Sequence, residues 1–255
     1  MRPVPSDLPF LLTLTFYGLV AWGLSATFAA FRVLADNEVR RGLVLRACVV
    51  VWLGVPAYLA VTGALFDFSG VPPKLMLLIF PLLFTTVLLC VSPWGAVAAK
   101  RLPASLLVGT QVFRLPLELV LFGLAQRELL SSEMTFSGYN FDILTGILAL
   151  PLWWRLRKQT ASWRALLAWN ILGLVLLITV VGIAIVSFPS PFGWFEPPNT
   201  IVAFYPWVWL PTFLVPIALA SHLLMFRKLL FSADEDAEPS QVATASLDAE
   251  PRPRG

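Results

Sequence analysis

"QVFRLPLELVLFGL", residues 111–124, sets an arginine and a glutamate four positions apart in a run otherwise suited to lipid. Whether this run crosses a membrane decides how many times the chain does so and on which side it ends. The surrounding composition favours crossing. Of 255 residues, 58% are hydrophobic and 13% charged, and the mean hydropathy is +0.80. Soluble domains carry about 25% charged residues, so this chain lacks the polar residues to clothe a water-facing surface. Long apolar runs separated by short charged clusters indicate an all-α, polytopic integral membrane helical bundle.

A hydrocarbon core of about 30 Å takes roughly 20 helical residues to cross. Seven stretches qualify, with expected limits 8–33, 43–66, 73–98, 104–127, 140–155, 165–188 and 201–226. The fourth is the most polar and the fifth, "FDILTGILALPLWW", is the shortest. Charge tests the count. Arg32, Arg40, Arg41 and Arg46 follow the first span, Lys100 and Arg101 the third, Arg155, Arg157, Lys158 and Arg164 the fifth, and Arg227 and Lys228 the seventh. On the opposite side stand Arg2, Lys74 and Arg127. Lys and Arg accumulate in cytoplasmic loops, which places the N-terminus outside and the C-terminus in the cytoplasm. The net charge of +3 is therefore read as a topology signal, and no nucleic-acid partner is expected.

The opening "MRPVPSDLPF" lacks the layout of a cleaved secretory signal: the following apolar run is too long and the stronger positive charge comes after it. A cell-membrane location, and the inner membrane in a bacterium, is expected. The organisation is read as a seven-helix domain over 1–231 and a cytoplasmic tail over 232–255, acidic and rich in Ala, Ser and Pro. That tail offers too little apolar surface to offset the entropy of ordering it, so disorder is expected. "FPSPFGWFEPPNT", residues 188–200, reads as a stiff, turn-rich loop at the interface.

Prolines punctuate the spans. Pro56, Pro81, Pro93, Pro116 and Pro151 fall inside expected helices, and Pro206, Pro211 and Pro216 recur every five residues in the last. Each removes a backbone hydrogen bond and favours a kink. Such kinks shape packing, or open a cavity or hinge in the final helix.

Counted from Ala104 at 1.5 Å per residue, Arg114 lies about 15 Å into the fourth span, near mid-bilayer. A central arginine costs roughly 2.5–3.5 kcal/mol on insertion scales. Glu118, one turn on, can form an ion pair with it, and Gln111 shares the face. This polar stripe must look into the bundle or a wet cavity. At the start of the fifth span, Asn140 can cap the helix, with Asp142 in its first turn. These two residues also fit the rim of a polar pocket that descends to Glu118 and Arg114. His222, the sole histidine, is expected near the cytoplasmic end of the seventh span, as a hydrogen-bonded residue or a candidate proton relay. Asn170 reads as an interhelical hydrogen bond.

Several chemistries find no residues to carry them. One histidine cannot ligate a haem from both sides, no His/Cys/carboxylate cluster has metal-ligand spacing, and Cys48 and Cys90 form no framework. All four lysines lie at membrane edges, leaving none for a retinal Schiff base. Neither HExxH nor a GxSxG elbow occurs. No cofactor is expected, and an enzyme is the less favoured class. Three readings of function stay open. The first is a small-solute or ion carrier or channel with its site at Gln111, Arg114, Glu118, Asn140 and Asp142. The second is a scaffold, sensor or assembly factor that binds another membrane protein or lipid. The third is a lipid- or isoprenoid-directed enzyme using Glu118 or Asp142. The expected span count also permits a three-plus-one-plus-three plan of parallel repeats, as in the SWEET sugar transporters. The Pro-Gln signature of that family is absent and no membership follows.

Overall fold

The computed structural model describes residues 10–36, 38–189 and 193–248, with side chains to residue 231. Its helices are α1 (Phe10–Leu34), α2 (Val39–Val61), α3 (Lys74–Val91), α4 (Pro93–Arg101), α5 (Ala104–Thr110), α6 (Arg114–Ala125), α7 (Ile143–Arg157), α8 (Trp163–Val186) and α9 (Val215–Asp248). No strand occurs among the described residues. Six stretches are long and apolar enough to cross a membrane: α1, α2, α3, the continuous α5–α6 rod (Ala104–Ala125), α8, and Leu210–Phe231. The chain is thus a multi-pass helical bundle. Helix α7, with 15 residues, is about 22 Å long and falls short of that length.

The α5–α6 rod forms the centre, with 61% of its apolar window buried, followed by Leu210–Phe231 at 44%; the other four spans are 17–22% buried. Helix α7 packs beside the rod and runs opposite to it, because Gly146 lies against Leu115 while Trp153 lies against Gly109. The last helix runs opposite to α8, with Asn170 bonded to His222 and the Trp163 indole donating to the Leu229 carbonyl. Two ion pairs mark the bundle's ends: Arg101 with Asp36 at 3.5 Å, and Lys74 with Asp67 at 3.2 Å.

Proline explains most departures from the expected limits. The third span ends at Val91 rather than near 98, since Ser92 accepts from the Gly95 amide and Pro93 takes the first position of a new helix, α4. A hydroxyl cap followed by proline is a strong helix start. The last span begins at Leu210, not at 201: Ile201–Ala203 is a 3₁₀ turn and Pro206 sits in turns outside the helix. Leu210–Leu214 is wound as a π-turn. Downstream, Pro216 cannot donate to the Thr212 carbonyl four residues back. The Trp52 indole supplies that hydrogen bond at 2.9 Å, as a neighbouring helix must where water is absent. Reciprocally, Trp209 donates to the Leu53 carbonyl at 2.9 Å, one residue from the carbonyl that Pro56 frees.

Residues expected only to mark topology also have local work. Arg227 donates to the carbonyls of Cys90 at 2.8 Å and Ser92 at 2.6 Å, and Lys228 to those of Ala99 at 3.0 Å and Lys100 at 3.2 Å. Two cations from the last helix thereby satisfy the carbonyls of Cys90, Ala99 and Lys100 at the C-terminal ends of α3 and α4, where the helix dipoles are negative, and add a second hydrogen bond to the Ser92 carbonyl, which also accepts from the Ala96 amide at 3.1 Å. The backbone of α9 continues to Asp248, but the side chains of 232–248 and residues 249–255 lie outside the described residues, and with them the expectation for the tail. Residues 190–192 of the expected interfacial loop also lie outside.

Two predictions follow from these contacts. Removing the Arg227 caps in Arg227→Ala should cost about 2 kcal/mol, as charge-assisted hydrogen bonds do, read from denaturant unfolding in detergent. At the other end, hydrogen bonds from Ser69 and the charge of Lys74 push the Asp67 carboxyl down to about 2. A depressed carboxylate stabilises above its unfolded value of about 4 and loses that contribution as pH falls through the folded value. Carboxyl NMR should therefore show Asp67 titrating near pH 2, and Lys74→Ala should move the midpoint upward.

Candidate intramembrane polar site

Pro116 sets the geometry of the central rod. Its ring opposes the Val112 carbonyl, and Gln111–Phe113 tightens into a 3₁₀ turn between α5 and α6. Such a break inside a helix turns the side chains around it. Gln111, Arg114 and Glu118 all face inward from this region, each exposed by 1% or less.

The partner of Arg114 is not Glu118. Arg114 Nη1 pairs with Asp142 Oδ1 at 3.0 Å, and no Arg114–Glu118 pair within 4 Å occurs among the described residues. Nη1 also donates to the Gly173 carbonyl at 3.3 Å and lies 3.3 Å from His222 Nε2. Asp142 reaches this depth because α7 is short. It is the N-cap of α7, not part of the first turn, and the chain from 126 to 142 dips into the bundle to meet it. Non-helical backbone at membrane depth must be buried in protein or line a cavity, and Ser131, Thr135 and Asn140 are buried here. Asn140 forms no helix cap. Its Oδ1 accepts from the Asp142 amide at 3.0 Å, while Nδ2 donates to Glu118 Oε1 at 2.7 Å and the Met134 carbonyl at 3.0 Å. Every hydrogen-bonding group of that amide is used, so its orientation is fixed.

His222 is displaced from its expected place. Because the last helix starts at Leu210, the imidazole falls within the bundle and is wholly buried. Asn170 Nδ2 donates to the His222 carbonyl at 3.1 Å, which turns Asn170 Oδ1 toward His222 Nδ1 at 2.9 Å. That oxygen only accepts, so Nδ1 carries the proton. Nε2 then presents its lone pair to Arg114. A neutral imidazole in this tautomer is the form that suits both neighbours. The Trp169 ring lies against that of His222, centroids 5.3 Å apart and tilted by 42°, and its indole donates to the Thr145 carbonyl at 3.1 Å. Close approach requires two glycines: a Cβ on Gly173 would strike the His222 ring, and one on Gly146 would strike the backbone at Leu115.

Among the described residues, three polar atoms on the stripe have no partner: Gln111 Oε1, Arg114 Nη2 and Glu118 Oε2. Gln111 spends its Nε2 on the Ala218 carbonyl at 2.9 Å. Glu118 and Asp142 reach the wall of a cavity of about 90 Å³ between α3, α6, α8 and the last helix. Asn199, on the same wall, is 2% exposed and its Oδ1 is also unpartnered. The structure thus brings all six anticipated residues into one region, and adds Asn170, Gly173, Thr145 and Asn199. An asparagine in a loop carries no sequence signal of burial, so Asn199 was not foreseeable.

Comparison with known proteins now has a geometry to address. The family model described as "Domain of unknown function (DUF8737)" matches residues 71–230. The chain belongs to this family. The matched region runs from just before α3 to Leu230 in the last helix, and every residue of the polar network lies within it. It leaves out α1 and α2. No curated protein and no solved structure matches the chain.

Breaking a buried pair from one side leaves an uncompensated charge, at roughly 3–5 kcal/mol, whereas replacing both partners with apolar groups is often near neutral. Asp142→Leu should therefore destabilise more than Arg114→Leu/Asp142→Leu, measured by unfolding in detergent. Equal losses would mean that the two groups do not depend on each other.

Proposed function

We propose that the chain is a small-solute or ion carrier of the cell membrane, the inner membrane in a bacterium, with its site at Gln111, Arg114, Glu118, Asn140 and Asp142. The observation that carries the proposal is Glu118: a buried carboxylate on a cavity wall, one oxygen held by a neutral amide and the other unpartnered. With both ionised, Glu118 and Asp142 face a single guanidinium, that of Arg114, which pairs with Asp142, and a neutral His222 adds no charge. The remaining charge on Glu118 is then balanced by a proton or by a cation from outside, and intramembrane ionisable groups of this kind mark solute and ion pathways.

Topology supports the same proposal. Helix α7 runs opposite to both α5–α6 and α8, which favours seven crossings, and the excess of basic residues at one end favours an external N-terminus. The cavity then faces the outer half of the bilayer. A helix starting at membrane depth beside a polar site is a recurrent carrier arrangement.

Proteoliposomes loaded with a pH dye, under an imposed membrane potential, test this with external Na⁺, K⁺ or tetraethylammonium in turn. Wild type should show proton or cation flux above protein-free vesicles. Glu118→Gln keeps the side-chain shape and should lose at least about tenfold of the flux, equivalent to about 1.4 kcal/mol, with its unfolding midpoint little changed. No flux in wild type, or equal flux in Glu118→Gln, would leave the polar network a structural device of a scaffold.

A further inference from the structure

We propose that the cavity beside Glu118 binds an organic ammonium with an apolar body, which enters sideways from the lipid between α3 and α8. The proposal rests on the carrier assignment for its site and goes further by naming the class of ligand. Its polar wall consists of Glu118, Asp142 and Asn199. The rest is apolar, with Met76, Leu117, Leu121 and Leu177 among the side chains that line it.

Among the described residues, the two buried atoms on that wall without a hydrogen-bond partner are Glu118 Oε2, an acceptor when the carboxyl is ionised, and Asn199 Oδ1, an acceptor always. Acceptors in a mostly apolar site select a hydrogen-bond donor and leave any other head group to lose its hydration without return. Ionised, Glu118 further selects a positive donor and repels a carboxylate or phosphate. A bare metal ion fits poorly, because hard cations take six or more oxygen ligands and three polar side chains surround this space. An ammonium attached to hydrocarbon satisfies both halves of the lining.

Access follows from exposure. Phe80 of α3 is 43% exposed and Ile185 of α8 is 38% exposed, and both line the cavity, so its mouth opens on the outer surface of the bundle. Each lies within a stretch long and apolar enough to cross a membrane. A ligand dissolved in the bilayer can lead with its ammonium toward Glu118 and leave its tail among the α3 and α8 side chains.

The test uses the full chain in nanodiscs. A diazirine-bearing alkylamine is photolysed on it, beside the alkanol and the alkanoate of the same chain length, and labelled peptides are mapped by mass spectrometry. The amine should label peptides of α3, α6 and α8 in a manner competed by unlabelled alkylamine, at least about tenfold above the alkanoate and clearly above the alkanol. Glu118→Gln should lower that labelling about tenfold. Ala184→Phe, which fills the cavity from α8 without touching the charged network, should abolish it, so the outcome does not rest on one variant folding. Equal labelling by amine and alkanoate, or amine labelling unchanged in both variants, overturns the proposal. Labelling without flux sustains this site and removes the carrier assignment; flux without labelling does the reverse.

Discussion

A guanidinium in the middle of an apolar bundle must be given partners, and the arrangement around Arg114 follows from that demand. One arginine near mid-bilayer costs several kcal/mol if left to lipid. Local partners are limited: Glu118 is a turn away on the same helix, yet its carboxylate is held by Asn140. Asp142, Gly173 and His222 therefore converge on Arg114 from three other elements. To deliver Asp142, α7 begins inside the bundle and the preceding chain follows it down. To deliver the Gly173 carbonyl and His222 together, α8 has no side chain at the contact point. The polar centre and the close packing of α6, α7, α8 and the last helix are one solution to one problem.

That solution leaves a remainder. Asp142 answers Arg114, and His222 answers it as a neutral acceptor held by Asn170. Glu118 is left with a neutral partner and a free oxygen at the cavity. A bundle that needed polar groups only for packing would gain from closing this valence, since a half-satisfied buried network is worse than an apolar one. The open valence is the reason to assign the site a ligand.

Much of this was legible in sequence, and the failures have physical causes. Gln111, Arg114 and Glu118 share a face by helical spacing alone, and burial of that face follows from the cost of exposing charge to lipid. Their pairing does not follow. Spacing rules report neighbours on one helix, whereas Asp142 arrives through a loop whose descent depends on α7 being short. Hydropathy placed the last span too early, because Phe204, Tyr205 and Trp207 are apolar while the backbone there turns ahead of Leu210. That error of nine residues moved His222 toward the membrane edge. The same blindness hid α4, whose "PWGAVAA" continues the apolar run although Ser92 and Pro93 start a new helix. Proline was read correctly as a source of kinks, but Trp52 and Trp209, which repair the backbone near them, could not be assigned without coordinates.

The arrangement around Arg114 stands or falls on the protonation of His222, and the chain carries one histidine, so a single ¹⁵N-labelled imidazole reports on it. Solid-state ¹⁵N NMR of the protein in lipid at neutral pH should show a neutral ring, with the proton on Nδ1 and a hydrogen-bonded, proton-free Nε2. A ring protonated on Nε2, or on both nitrogens, could not accept from Arg114 and would contradict the network at its centre.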